Sequence, residues 1–177
     1  MVKKTLLSLG YFLVFILALI IFTPKQSVYY FAEKELQPFG VVISNEMLED
    51  NFLALKIENG QFYAQNIEAA TLEKADIVIL GFYNSIDIEN IQLASFLDDF
   101  FPKNVANISV SYSVIEPLTL NISANGEFGE ASGEFSILDR NVSLVLKPSK
   151  VMLSKYQTTL REFKKQSNGE YTYAKAL

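Results

Sequence analysis

The sequence predicts a mainly β protein: an N-terminal transmembrane helix followed by a curved antiparallel sheet, a meander forming a half-open or flattened barrel, with a few short helices. Three observations predict it. Lys3 and Lys4 precede an uncharged apolar run from Leu6 to Phe22; the chain beyond it alternates apolar and polar residues with period two; and Gly- and Asn-containing turn signals separate the alternating runs. The domain organisation that follows is a cytoplasmic stub and anchor over residues 1–24, a membrane-proximal helix over 25–38, and an extracytoplasmic β-rich domain over 39–177.

The anchor reads LLSLGYFLVFILALIIF, 17 residues, or about 26 Å as a helix. Leu6, Leu13, Phe15, Leu17, Ile20 and Phe22 would face lipid, because a core helix of this length is rarely apolar all round. A cleaved signal peptide shares the basic start, but its apolar centre is shorter and it ends in a small-x-small site, which Phe22-Thr-Pro-Lys-Gln-Ser lacks. Lys3 and Lys4 favour an N-terminus in the cytoplasm and a C-terminal domain outside it, in the periplasm of a bacterial cell.

Ser27 is the expected cap of a helix over Val28–Leu36, which Pro38 and Gly40 stop. Gly40–Ser44 is a candidate strand. Leu53–Glu58 and Gln61–Ala64 flank Asn59-Gly60, the strongest local hairpin signal in the chain. Strands are expected at Ala75–Leu80 and Ser85–Leu93, then a short helix over Ala94–Phe101 before Pro102. Ile108, Val110 and Tyr112 alternate with serines, as Leu118, Leu120 and Ile122 alternate with Thr119, Asn121 and Ser123, so each run has one apolar and one wet face. Asn125-Gly126 is the expected reversal into Phe128; Ser132–Leu138 and Val142–Leu146 continue the meander around Asp139-Arg140-Asn141. Ser149 caps an expected amphipathic helix over about 149–166, with Met152, Tyr156, Leu160 and Phe163 on one stripe and Lys150, Lys155, Arg161, Lys164 and Lys165 as a basic contact face. Glu170–Ala174 alternates once more.

The chain has no Cys and no His, which removes disulfides, thiolate metal sites, the usual general base and the commonest metal ligand. Charge is segregated: residues 26–146 carry five basic against eighteen acidic side chains, a net of −13. An acidic middle argues against nucleic acid. Glu127, Glu130 and Glu134 near Gly126, Gly129 and Gly133 offer a weak all-oxygen cation site or solvated charge on a hairpin, and the second is the commoner outcome. Asp98-Asp99 reads the same way. Asn107, Asn121 and Asn141 each begin an Asn-x-Ser tripeptide, and the Asn141 sequon has an acidic residue two before it. No catalytic, cofactor or metal site is expected.

The order of a single span, a short helix, Phe39-Gly-Val-Val-Ile43, a strand ending Ile57-Glu-Asn-Gly60 and the runs Ile77-Val-Ile79 and Ile86-Asp-Ile88 resembles the N-terminal module of AsmA-like proteins, to which the type II secretion inner-membrane protein N is similar. Gly126-Glu-Phe-Gly129 and Gly133-Glu-Phe-Ser-Ile-Leu138 resemble that family's glycine-punctuated meander. The resemblance covers roughly Val2 to Lys150. It implies a periplasmic half-open sheet with an apolar inner face, without catalysis and without cofactors. The expected function is a membrane-anchored scaffold or accessory subunit of an envelope-spanning, secretion-type machine with protein partners. The alternative is a lipid-binding or lipid-transfer module, in which Ile108, Val110, Tyr112, Leu118, Leu120 and Ile122 line an apolar groove. The single-span lipopolysaccharide-transport protein with a periplasmic jellyroll is the second family it looks like.

Overall fold

The computed structural model describes residues 2–176. Helix α1 (Val2–Phe22) is long and apolar enough to cross a membrane, and none of its span is buried against the rest of the protein. The Thr23 hydroxyl donates to the Leu19 carbonyl at 2.7 Å, occupying one acceptor at the open end of the last turn. After Pro24 the chain enters α2 (Lys25–Leu36). Ser27 is therefore not the cap; it lies one turn inside a helix that Pro24 introduces without a side-chain bond. The stop is as expected: Pro38 falls in a single 3-10 turn, Gln37–Phe39, and Gly40 closes it at φ 75.

Beyond Gly40 the chain is one open antiparallel sheet whose two ends do not pair with each other. Its first strands are β1 (Val41–Ser44), β2 (Met47–Asp50), β3 (Ala54–Glu58), β4 (Gln61–Ala64), β5 (Ile67–Ile79) and β6 (Tyr83–Leu93). The ladder continues through β7 (Asn104–Ser113), β8 (Thr119–Gly126), β9 (Gly129–Ser136) and β10 (Asn141–Pro148). After helices α3 (Lys150–Lys155) and α4 (Gln157–Leu160), β11 (Lys164–Lys165) and β12 (Tyr171–Ala176) finish it, with β12 inserted between β10 and β11.

Asn59-Gly60 does not make a hairpin. Strands β3 and β4 both pair with β5, Glu58 opposite Lys74 and Gln61 opposite Thr71, so they are one strand interrupted by a bulge. A two-residue reversal of the Asn-Gly kind needs positive φ at both positions, and here only Asn59 (φ 58) has it. The reversal falls at Gln65-Asn66, φ 52 and 65, which joins Ala64 to its partner Ile67. Strands β1 and β2 are likewise one kinked strand, broken at Asn45 (φ 62) beside the Asn59-Gly60 bulge. Asn90 (φ 53) in β6 and the register shift between Val105 and Asn107 in β7 carry the same irregularity onward. This line of bulges creases the sheet.

The later turns differ from expectation by a residue or two. The reversal after β8 is at Glu127-Phe128, between the paired Gly126 and Gly129. Ala94–Phe101 is not a helix but a loop with one 3-10 turn, Ser95–Leu97, because the residue before Pro102 is disfavoured in the helical region and so short a helix does not sustain itself. The helix expected over 149–166 breaks at Tyr156 (φ −111, ψ 37), after which only Gln157–Leu160 is helical. Arg161 follows α4, and Lys164 and Lys165 form the terminal edge strand, so the five basic residues share no helix face. Ser149 does cap α3, accepting from the Met152 N–H at 3.1 Å.

Gly129 has φ 114, and a Cβ there would clash with the Lys147 carbonyl oxygen. Gly129→Ala therefore combines backbone strain with a clash against β10, and is expected to cost about 1–3 kcal/mol or more. A fall in the denaturation midpoint of the full chain in detergent that is larger than at Gly81→Ala, where φ is 80 but an added Cβ meets nothing within 4 Å, checks the placement of this reversal.

Candidate functional site

The pairing register sorts the side chains into two faces, because directly opposed residues in an antiparallel ladder point the same way. One row across the sheet reads Ile77, Ile86, Val110, Ile122, Gly133, Leu144, Tyr173. The next residue along each strand gives Val78, Ser85, Ser111, Asn121, Glu134, Ser143, Ala174. The first face is apolar and the second mostly polar. On the polar face the Lys74 ammonium lies 2.6 Å from Asp76 and 3.8 Å from Glu89, and its hydrogen bond to Asp76 holds its pKa above the usual lysine value.

The apolar face is covered at its two flanks. Helix α2 lies over the first strands and plants Tyr29 on Leu55, Ile57 and Ala75, all buried. At the other flank Met152 and Leu160 of α3 and α4 pack on Leu146, with Tyr156 and Phe163 beside them. The bend at Tyr156 lets both short helices reach the sheet. Thr159 Oγ1 also donates to the Phe100 carbonyl at 2.6 Å, tying α4 to the 94–103 loop, and in that part of the sheet Ile91, Pro102 and Val105 are buried.

Between the flanks the face stays open. A groove of about 400 Å³ runs under α2, bounded by Val28, Tyr29 and Ala32 on one side and by Ile77, Ile79, Ile86, Val110, Tyr112 and Leu120 on the other. That volume falls within the roughly 300–1,000 Å³ of small-molecule sites. Of the six groove residues expected from the sequence, Val110, Tyr112 and Leu120 line it, and Ile108 and Ile122 share the same face. Leu118 does not: it occupies the β7–β8 turn at φ 69, 48% exposed. Alternation placed it on the face, but the strand begins one residue later, at Thr119.

Lys25 was not foreseen. Its side chain is 1% exposed at the groove, and among the described residues its hydrogen bond goes to the Thr23 carbonyl at 3.4 Å. The signal was its position, a lone cation between an apolar span and an apolar helix face. Tyr29 donates to Glu46 Oε1 at 3.3 Å. Burial, and then the Glu46 and Glu33 carboxylates, push its phenol well above the usual tyrosine value.

The acidic residues converge on no metal site: among the described residues no three His, Cys, Asp or Glu side chains are placed to hold an ion. Glu127 accepts from Asn104 at 2.8 Å and, with Glu73 and Glu130, borders an open polar cleft of about 1010 Å³ along the crease. Glu134 lies in the polar row opposite Asn121. Asp98 and Asp99 are exposed in the 94–103 loop.

The fold and site define a class: an N-terminal candidate membrane helix followed by a single open sheet with one apolar, partly uncovered face. Comparison with protein-family models, with curated proteins and with solved structures returns no match.

Because the Tyr29 phenol ionises less readily folded than unfolded, the stability it lends is complete below about pH 10 and is lost as pH rises above that value. Wild type is expected to lose stability through this alkaline window more steeply than Tyr29→Phe, as read by chemical denaturation between about pH 9 and 12. Equal slopes would place Tyr29 outside the α2–sheet contact.

Proposed function

We propose that this chain is a non-catalytic module, anchored in a bacterial inner membrane by α1, whose extracytoplasmic sheet shelters an acyl chain of a membrane lipid in the apolar groove. The observation that carries the reading is the row Ile86, Val110, Ile122, left partly open between α2 and the α3–α4 pair. Apolar surface of this kind is stabilised when it leaves water, by about 25 cal/mol per Å². The groove begins at Lys25 and Val28, a few residues beyond the end of the span at Phe22, so an acyl chain has a short path to it from the bilayer. Lys25 lines this end of the groove. Lys3 and Lys4 favour the orientation with the sheet outside the cytoplasm. The AsmA-like resemblance implies either this role or assembly of an envelope machine.

A second reading, the scaffold subunit of an envelope machine, rests on the outer edge of the strand Val41–Asp50, which no other strand covers among the described residues. Such an edge can accept a partner's strand.

Photoreactive side chains at Val110 and Ile122, with Ser109 and Ser123 of the polar face as controls, test the first reading in native membranes. Lipid adducts confined to Val110 and Ile122 are expected. Protein adducts there in place of lipid would replace the lipid reading with the scaffold. Ala32→Trp, which fills the groove from α2, should lower the lipid adduct at Val110 at least about threefold, a loss of about 0.65 kcal/mol or more of binding.

A further inference from the structure

All four reversals at one end of the sheet carry an exposed large apolar side chain. These are the turns 51–53, 80–82, 114–118 and 137–140, which join β2 to β3, β5 to β6, β7 to β8 and β9 to β10. The antiparallel register puts them on the same rim: Leu55 pairs with Ile77, Tyr83 with Ser113, and Thr119 with Ser136. At their tips Phe52 is 77% exposed, Phe82 55%, Ile115 86% and Leu138 74%. Single exposed apolar residues are ordinary on soluble surfaces, but one at every successive turn of one rim is a continuous apolar edge.

The same rim is where the span arrives. Lys25 lines the same groove as Ile79, Asn84, Tyr112 and Leu120, residues within a few positions of these turns, while the far end of α2 leads to Gly40 beside Gln65 at the opposite end. Only Thr23 and Pro24 lie between Phe22 and Lys25, three Cα steps that reach about 11 Å at full extension. The rim is thus held near the surface of whatever bilayer α1 crosses.

We infer that this rim is a second membrane contact, with the tips of the four turns inserted into the interfacial layer of the bilayer that holds α1. Apolar side chains bury shallowly at such a boundary, about 5–10 Å deep. Asp139, Arg140 and Glu116, interleaved in the turns, then lie at head-group level. The opposite end also exposes apolar residues, Phe39, Ile67, Phe96, Phe100 and Phe101, but they do not stand one at each successive reversal, since the β4–β5 reversal is the polar Gln65-Asn66, and that end is remote from the span. The consequence is an upright sheet whose groove opens against the lipid. This inference rests on α1 crossing the membrane, as the proposed function does, but not on the groove holding lipid.

The absence of cysteine makes the test direct. Single cysteines replacing Leu13 in the span, Phe82, Ile115 and Leu138 on the rim, Phe96 at the far end and Ser109 on the polar face are labelled with a fluorophore. The full chain is placed in phosphatidylcholine nanodiscs, with folding of each variant checked by circular dichroism. Lipids spin-labelled near the head group should quench the three rim labels at least about twofold more than Phe96 or Ser109, while chain-end spin labels quench Leu13. Rim labels quenched no more than Ser109, or Phe96 quenched instead, would overturn the inference. An unquenched Leu13 label would remove the span and the inference with it. Quenching at the rim without lipid adducts at Val110 would leave the membrane contact standing and the groove reading fallen.

Discussion

A sheet one layer thick has two faces, and when one is apolar along most of its strands, something must remove that face from water. This constraint shapes everything after residue 40. Two covers are drawn from the chain itself: α2, which carries Tyr29 onto Leu55, Ile57 and Ala75, and the α3–α4 pair, which carries Met152 and Leu160 onto Leu146. Neither reaches the middle. The row from Ile86 to Ile122 is left open to a third component, the place that the proposed reading gives to an acyl chain.

The covers also explain local departures from ideal elements. A straight helix over residues 149–166 would hold Met152 and Leu160 on a line that leaves the sheet, whereas the break at Tyr156 turns α4 toward Phe100 and keeps both residues buried. The crease through Asn45, Asn59 and Asn90 bends the first strands beneath α2. Each asparagine sits at positive φ, a conformation its short polar side chain tolerates better than most. The conflict between local preference and long-range packing is settled in favour of packing in both places.

How much of this was legible from the chain follows from which forces are local. The strands could be read because the pleat repeats every two residues and the apolar face must be continuous; Ile108, Val110, Tyr112, Leu120 and Ile122 declare their side before any partner is known. The cap at Ser149 could be read because it involves a backbone N–H three residues away. The Asn59-Gly60 reversal misled because a left-handed asparagine serves a bulge as well as a turn, and the choice depends on whether the following strand returns or continues along β5. Gln65-Asn66, with a weaker turn signal, reverses the chain because the register on both sides leaves it no other course.

By itself, then, the sequence determined an apolar helix at the N-terminus, a β-rich remainder with one apolar face, and a chain without histidine or cysteine chemistry. Those properties depend on composition and on periods of two and 3.6 residues, which neighbours along the chain establish. Only the tertiary structure decided that Phe52, Phe82, Ile115 and Leu138 stand on one rim, that Lys25 is buried at the groove, and that the middle of the apolar face is open. Those depend on strand register and on which helices lie across the sheet, contacts between residues far apart in the chain, for which no local pattern carries the information.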